Sequence, residues 1–262
     1  MKLIDHIPEE LTREILRHCL IIPEDEFYDD HLREIRRVKR KHGEPPASCI
    51  LLVCKKWRQI GEWALYTSLC IASAEHARAV AQVLKLRAPV FARFIEHVRL
   101  EAGYGIEIQD ILKFATNLKT IFVSAMVSSS ESIKGLQRAL PTVSPVRLYV
   151  HTFGANDEKN ANKKTIENML ETMEEVHFYP HTTHLNDTMV LALMSASPSV
   201  KTISFDGYTL LHRYVKNSLS LEMIFARNTN IKRIICRRSV YYKSNLQYSR
   251  MSKMVLGVLD YQ

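Results

Sequence analysis

Residues 117–123 read NLKTIFV, and the same spacing of apolar residues returns at 199–205 (SVKTISF) and at 230–236 (NIKRIIC). Each copy has an apolar residue, two variable positions, a second apolar residue, one variable position and a third apolar residue. This LxxLxL alternation predicts a short strand in each copy. Seven copies occur, 23 to 31 residues apart, and their middle apolar residues are Leu69, Val98, Ile121, Leu148, Val176, Ile203 and Ile234.

The intervals between these strands show the period of an amphipathic helix. One strand and one helix cannot bury their apolar faces alone, whereas stacked copies share a continuous core. We therefore predict an α/β fold in which residues 71–262 form a curved strand–helix solenoid, with parallel strands on its concave face. The clearest helical stripes are Ala77, Val80, Ala81 and Leu84; Ile108, Ile111, Leu112 and Ala115; and Ile166, Met169, Leu170 and Met173.

The first 70 residues have a different pattern, which predicts a separate helical module. Pro8 suits the first turn of a helix, and Pro23 is expected to end that helix. The charged residues 24–46 predict an inserted loop. A second helix is expected from Ser48, a suitable N-cap, to a stop near Gly61. The apolar stripe of the first helix is Leu11, Ile15, Leu16 and Cys19.

Two runs of residues in this module carry a family resemblance. They are Ile7, Pro8, Glu9, Glu10, Leu11, Ile15 and Leu16 before the charged insertion, and Leu51, Leu52, Val53, Cys54, Lys55, Trp57, Arg58, Trp63, Leu65, Tyr66 and Leu69 after it. On these residues the module resembles the F-box, in the form common in fungal (basidiomycete-type) F-box proteins. The rest of the chain is similar to the irregular leucine-rich repeats often attached to F-boxes. The resemblance implies docking to the Skp-type adaptor of a cullin-based ubiquitin ligase.

The size of the module gives an independent reason to expect a partner. A helix pair of about 40 ordered residues is too small to bury every apolar side chain it carries, so part of its apolar surface faces another protein. The alternative is that these side chains only pack the module against the first repeat. The expected adaptor-binding residues are Ile7, Pro8, Leu11, Ile15, Leu52, Val53 and Trp57.

The strands of the solenoid predict a second binding surface. If the LxxLxL residues point towards the helices, the residues between and just after them point to the opposite, concave face. Aromatic and arginine side chains there are typical of protein interfaces. The alternative is that loops or a C-terminal tail cover this face. The expected substrate-binding residues are Arg99, Phe122, Tyr149, His177 and Tyr179.

The composition indicates an intracellular globular protein. The chain has 262 residues, of which 46% are hydrophobic, and a formal net charge of +8. Its five cysteines are odd in number and form no CxxC pair, which predicts reduced, buried thiols. No stretch fits a signal peptide or a membrane span. We therefore expect a cytoplasmic or nuclear protein that does not associate with membranes.

Motifs that carry chemistry are few. There is no GxSxG elbow and no phosphate-binding loop. His177, His181, His184 and Asp187 lie close enough in sequence to suggest a metal site, but neither an HExxH helix nor nearby cysteines support it. We therefore expect no enzyme activity, no metal and no cofactor.

The basic residues are clustered. Residues 32–58 hold nine Lys or Arg against two acids, and residues 223–259 hold eight and no acid. The simplest interpretation is a solvated helix and a soluble chain end, and the alternative is binding to an acidic partner surface or to nucleic acid. No aromatic residue is interleaved in residues 33–41, so base stacking is not available there, and we do not expect nucleic acid as the partner.

Three functional hypotheses follow. The first is a substrate-recognition subunit of an SCF-type ubiquitin ligase, with the F-box-like module on the adaptor and the solenoid on the substrate protein. The second is an interaction scaffold that uses the solenoid without promoting degradation. The third is a nucleic-acid-binding protein that uses the two basic clusters.

Overall fold

Eight short strands form one all-parallel sheet in the computed structural model of the chain, and each strand pairs with the next in sequence. The structure describes residues 7–28, 46–101, 105–124, 134–152, 173–180, 199–206, 228–237 and 259–261. The strands are β1 Ser68–Ile71, β2 His97–Leu100, β3 Thr120–Ser124, β4 Arg147–Thr152, β5 Glu175–Pro180, β6 Thr202–Asp206, β7 Arg233–Arg237 and β8 Leu259–Tyr261.

The apolar repeat sets the register of this sheet. Because a slip of one residue would turn every apolar side chain to the opposite face, the middle apolar residues of neighbouring strands lie side by side. The seven predicted strands and the parallel α/β class are therefore confirmed. The strand β8, which the sequence did not predict, adds Leu259 beside Ile234. The aligned residues are Leu69, Val98, Ile121, Leu148, Val176, Ile203 and Ile234.

The N-terminal helices pack around a small core of their own. Their bounds are α1 Glu9–Leu20, α2 Glu24–Tyr28, α3 Lys55–Gly61 and α4 Ala64–Thr67, and a 3-10 helix, Ala47–Leu52, precedes α3. The core joins residues of α1, the 3-10 helix, α3 and α4, namely Leu16, Leu20, Leu51, Ile60 and Ala64. Of the stripe predicted for α1, only Leu16 is buried, because the helix packs through Thr12, Leu16 and Leu20 instead.

The predicted helix ends in this module are confirmed, since α1 ends at Leu20, before Pro23, and α3 ends at Gly61. The predicted starts differ: Pro8 is the N-cap residue of α1 rather than part of its first turn. Pro23 also precedes α2, whose Phe27 N–H donates to the Pro23 carbonyl at 2.9 Å. The second predicted helix is divided, because Cys54 is extended (φ −160°, ψ 167°). The Sγ atom of Cys54 accepts a hydrogen bond from the Trp57 N–H at 3.5 Å, so the N-cap of α3 is Cys54 rather than Ser48.

The chain passes directly from this module into the sheet. Thr67 ends α4 and Ser68 begins β1, which already pairs with β2. The boundary predicted between residues 70 and 71 therefore falls inside β1. The ring centroids of Trp63 and Phe94 lie 5.9 Å apart, so the module also packs against the segment that leads into β2.

Helices cover one face of the sheet. They are α5 Ala74–Phe91, α6 Glu107–Phe114 and α7 Lys134–Ala139. The stripes predicted for α5 and α6 are confirmed, since Ala77, Ala81, Leu84, Ile108, Ile111, Leu112 and Ala115 are all buried in the main core with the apolar strand residues. Of the third predicted stripe, Met173 is buried in this core and the other three residues lie outside the described residues.

Candidate binding surfaces

An apolar surface lies on the outside of the N-terminal module. Leu11 and Ile15 of α1 are 58% and 41% exposed, and Leu52 and Val53 at the end of the 3-10 helix are 79% and 48% exposed. The helix α1 and the 3-10 helix pack against each other, so these residues belong to one unit. We call Leu11, Ile15, Leu52 and Val53 the apolar surface.

The other predicted adaptor-binding residues border this unit. Pro8 is exposed, whereas Ile7 and Trp57 are half-buried, and the Trp57 ring packs against the module core. The ammonium group of Lys56 donates to the Ile7 carbonyl at 3.0 Å, which fixes the start of α1 against α3.

The second surface is the face of the sheet opposite the helices. We call its residues His97, Arg99, Thr120, Phe122, Arg147, Tyr149, Glu175 and His177 the strand face. The expectation that its aromatic and arginine side chains are exposed is wrong, because Arg99, Phe122, Tyr149 and His177 are each 3% exposed or less. Tyr179 lies in β5 opposite His151, and its side chain is outside the described residues.

Over Arg99, Phe122 and Tyr149 the strand face is covered by α2. Phe27 and Tyr28 form a buried cluster with Phe122 and Tyr149. The residues Glu24–Tyr28 were expected in an inserted loop, and this expectation is also wrong. The physical reason is that burial of Phe27 and Tyr28 against other rings stabilises this segment, although the residues around them are acidic.

Planar groups stack along the strand face. Phe122, Tyr149 and His177 are aligned partners on β3, β4 and β5. The Tyr28 ring lies parallel to the Tyr149 ring, with centroids 3.9 Å apart, and nearly parallel to the Phe122 ring at 6.1 Å. The Tyr149 and His177 rings are stacked at 4.3 Å. The in-register sheet therefore presents a row of rings, and α2 contributes one more.

Arg99 binds the C-terminal end of α2. Its Nη1 atom donates to the carbonyls of Phe27 and Tyr28 at 3.3 and 3.2 Å, and its guanidinium lies 3.8 Å from the centroid of the Phe122 ring. Its Nε atom donates to Glu101 at 3.3 Å. The last carbonyls of a helix lack partners within the helix and carry its negative dipole, so a buried cation suits this position. Its burial is compensated by these contacts.

Arg147 binds the N-terminal end of α2. Its Nη1 atom donates to both carboxylate oxygens of Glu24, at 2.8 and 2.9 Å, and its Nε atom donates to Glu175 at 2.8 Å. The hydrogen bond to Glu24 raises the pKa of Arg147. The pKa of Glu175 is lowered, chiefly by a hydrogen bond from His177 and further by Arg147. Arg147 and Glu175 therefore both remain charged at neutral pH.

The buried Tyr28 hydroxyl and His97 are both neutral at neutral pH. Burial raises the pKa of Tyr28 and lowers the pKa of His97. The Tyr28 hydroxyl lies 3.5 Å from His97 Nδ1, which is a long contact. This pair therefore contributes to packing, and no nucleophile or charged acid–base pair is formed there.

Three further observations concern chemistry and thiols. Within the part of the chain that the structure describes, no group of three or more His, Cys, Asp or Glu side chains could hold a metal ion. His181, His184 and Asp187 lie outside it. Among the described helices, none has the length and apolar character needed to cross a membrane. The expectation of buried thiols is wrong for the four cysteines whose burial is described: Cys19 is exposed because it lies off the buried stripe of α1, and Cys49, Cys54 and Cys70 are half-buried.

Sequence reasoning missed three functional side chains, which are Glu24, Phe27 and Tyr28. A signal was present, since Pro23 can precede a helix and two adjacent aromatic residues follow within an otherwise acidic stretch. Because Glu24 and Tyr28 are four residues apart, their side chains lie on nearly the same side of a helix.

Comparison with known proteins gives no family for this chain. No protein-family model matches the sequence, and no curated protein matches it. What the apolar surface and the strand face bind is therefore inferred from their own residues.

Proposed function

We propose that the chain is the substrate-recognition subunit of a cullin-RING (SCF-type) ubiquitin ligase. The N-terminal helices act as an F-box-like module that docks to a Skp-type adaptor and through it to a cullin. The sheet and its helices act as a curved, leucine-rich-repeat-like solenoid whose strand face binds the substrate protein. The apolar surface of the module is the observation that carries this proposal.

The apolar surface supports the docking step because its residues are apolar and yet contribute nothing to the module core. That core is made by Leu16, Leu20 and their neighbours. Leu52, by contrast, keeps 79% of its surface in solvent. Large apolar side chains exposed together on one small module mark interaction sites, and helix faces of this kind fit a groove on a partner.

The order of the strands supports the solenoid. Parallel strands that follow chain order from one edge to the other are what stacked strand–helix repeats produce. Open sheets that bind small ligands place them where the strand order reverses, and the order β1 to β8 contains no such point. The sheet therefore favours binding of a protein over binding of a small substrate.

A receptor of this kind raises the rate of ubiquitin transfer without touching the reacting bond. It holds a substrate lysine close to a charged conjugating enzyme, so the transfer becomes effectively intramolecular. The residues that act are then those of the apolar surface and the strand face.

The test is copurification of the full chain with a Skp-type adaptor. We expect the wild-type chain to retain the adaptor and the double variant Leu11→Glu with Leu52→Glu to lose at least about tenfold in affinity, since apolar anchors near an interface centre dominate binding energy. Leu86→Glu is the matched control, because Leu86 of α5 is 86% exposed and lies outside the module.

Two outcomes separate the hypotheses. Retention of the adaptor by the double variant, or absence of binding by the wild-type chain, would contradict the docking step. Adaptor binding without any change in the abundance of captured proteins on deletion of the chain would favour the scaffold that does not promote degradation.

A further inference from the structure

We propose that Glu24–Tyr28 is an intramolecular ligand of the strand face. We further propose that the protein partner of this face presents the same arrangement, a carboxylate followed one helical turn later by an aromatic ring. The inference rests on the proposed function in one respect, since that function assigns the strand face to the substrate. It adds the chemical class of the substrate segment and the reason that the face is closed in the isolated chain.

The first step concerns the contacts of α2, which are those of a bound peptide. The carboxylate of Glu24 binds Arg147, and the ring of Tyr28 stacks on Tyr149. The backbone carbonyl of Tyr28 accepts from Arg99 at 3.2 Å. Charge, ring and backbone are thus each recognised by a separate residue, Arg147 and Tyr149 on β4 and Arg99 on β2.

The second step concerns the strand face itself, which the repeat does not need for its own core. The main core is formed by the other side of the strands with α5, α6 and α7. A buried guanidinium over an aromatic ring is costly unless acceptors are supplied to it. Without α2, Arg99 keeps Glu101 but loses the carbonyls of Phe27 and Tyr28, so the site formed by Arg99, Phe122 and Tyr149 favours an occupant that supplies the same groups.

The third step concerns the strength of the internal contact. The helix α2 has five residues, and a helix this short is not stable by itself. Its ionic contact is open to water, with the Arg147 side chain 41% exposed and that of Glu24 33% exposed. Such pairs contribute little free energy. A partner that makes additional contacts can therefore displace α2.

Those additional contacts lie beyond β5. Thr202 of β6 is the aligned partner of Glu175, and Arg233 of β7 is the aligned partner of Thr202, so these two residues extend the line of side chains that contains Arg147 and Glu175. Thr202 is half-buried and Arg233 is exposed. Arg233 lies about 14 Å from Arg147, at three strand spacings, so an acidic segment longer than α2 extends towards it. The helix α2 contacts β2 to β4 and ends before this region.

The test is binding of a fluorescein-labelled peptide with the sequence of residues 22–30, IPEDEFYDD, to the full-length chain by fluorescence anisotropy. The peptide binds only those molecules in which α2 has left the strand face, which we call open. If 1–10% of the wild-type molecules are open, a substitution that opens all of them raises the apparent affinity for the peptide by about 10–100-fold. We expect this gain for Tyr28→Ala. A gain of roughly threefold is expected for Glu24→Gln, which keeps the aromatic anchor and loses only the charge.

Three controls accompany the measurement. Arg147→Gln introduced into the Tyr28→Ala chain should remove most of the gain, because the peptide carboxylate then lacks its partner. A peptide with Tyr28→Ser should bind no variant. The Leu86→Glu chain should bind the peptide as the wild-type chain does.

Equal affinity of the peptide for the wild-type, Glu24→Gln and Tyr28→Ala chains would overturn the inference, as would absence of binding to all three. If circular dichroism shows that Tyr28→Ala is unfolded, the Glu24→Gln chain decides, and no gain there overturns the inference. Adaptor copurification is measured on the same variants, none of which alters the apolar surface. Loss of peptide binding with the adaptor retained contradicts this inference alone, whereas loss of the adaptor with peptide binding retained contradicts the ligase assignment alone.

Discussion

Tyr28 has no exposed surface, and its ring contacts Tyr149, Phe122 and His97. The hydroxyl lies 3.5 Å from His97 Nδ1, which is long for a hydrogen bond, and it also forms a hydrogen bond with Thr120. One such bond contributes about 1 kcal/mol net, so most of the stabilisation that Tyr28 provides comes from the burial and stacking of its ring.

This distinction predicts different effects for two substitutions of Tyr28. Tyr28→Ala removes the ring and should lower the free energy of unfolding by about 2–3 kcal/mol, less than the usual cost for a buried aromatic residue because α2 can be released while the rest of the fold persists. Tyr28→Phe keeps the ring and should cost less than about 1 kcal/mol. Urea unfolding followed by circular dichroism measures both. Similar losses for the two variants would show that the hydroxyl, rather than the ring, anchors α2.

At the scale of elements, α2 is held at both ends by charges and in the middle by rings. Arg99 binds its last carbonyls and Arg147 binds its first carboxylate. His97 lies beneath it and is kept neutral by burial. The contact between α2 and the sheet thus depends on His97 remaining uncharged, and the pKa of His97 lies below its ordinary value.

We therefore expect stability to fall on acidification. The unfolded chain binds a proton on His97 near pH 6.5, whereas the folded chain resists protonation, so the stability due to neutral His97 is lost below pH 6.5. The lowered pKa of Glu175 adds a second loss below about pH 4.5. Urea midpoints between pH 8 and pH 4 measure both steps. His97→Gln should remove the first step and leave the second, and an unchanged first step would contradict this.

Elements differ in how far the sequence predicts them. The strands were predictable because one spacing recurs and each copy buries its apolar side against the same layer, as Ile121 and Leu148 do. The helix α2 was not, because local charge dominates its pattern while its stability comes from residues such as Tyr149, more than 100 positions away. The apolar residues of α1 were identified, but the choice of which side faces the core depended on the packing of Leu51 and Ile60.

At the scale of the whole molecule, α2 joins the N-terminal module to the sheet in a second place. The first junction is the direct passage from Thr67 to Ser68. The second is the buried cluster of Phe27 and Tyr28 with strand residues. Two junctions make the module and the sheet one cooperative unit, although repeat arrays unfold in parts when neighbouring units are weakly coupled.

Coincident unfolding transitions test this coupling. The chain has two tryptophans, Trp57 and Trp63, and both lie in or beside the helices of the module. Their fluorescence should follow the module, while far-ultraviolet circular dichroism follows the whole chain. We expect one shared urea midpoint for the wild-type and Leu86→Glu chains and separate midpoints for Tyr28→Ala. Separate midpoints in the wild-type chain would contradict the coupling.

The absence of a spacer between α4 and β1 has a consequence for the proposed receptor. With Thr67 followed at once by Ser68, this junction provides no hinge between the module and the sheet at which a bound target could swing. The target is then presented to the conjugating enzyme from a single direction. The position of a lysine on the surface of the target then decides whether it receives ubiquitin. A lysine on the side of the target that faces away from the conjugating enzyme is not modified, however reactive it is.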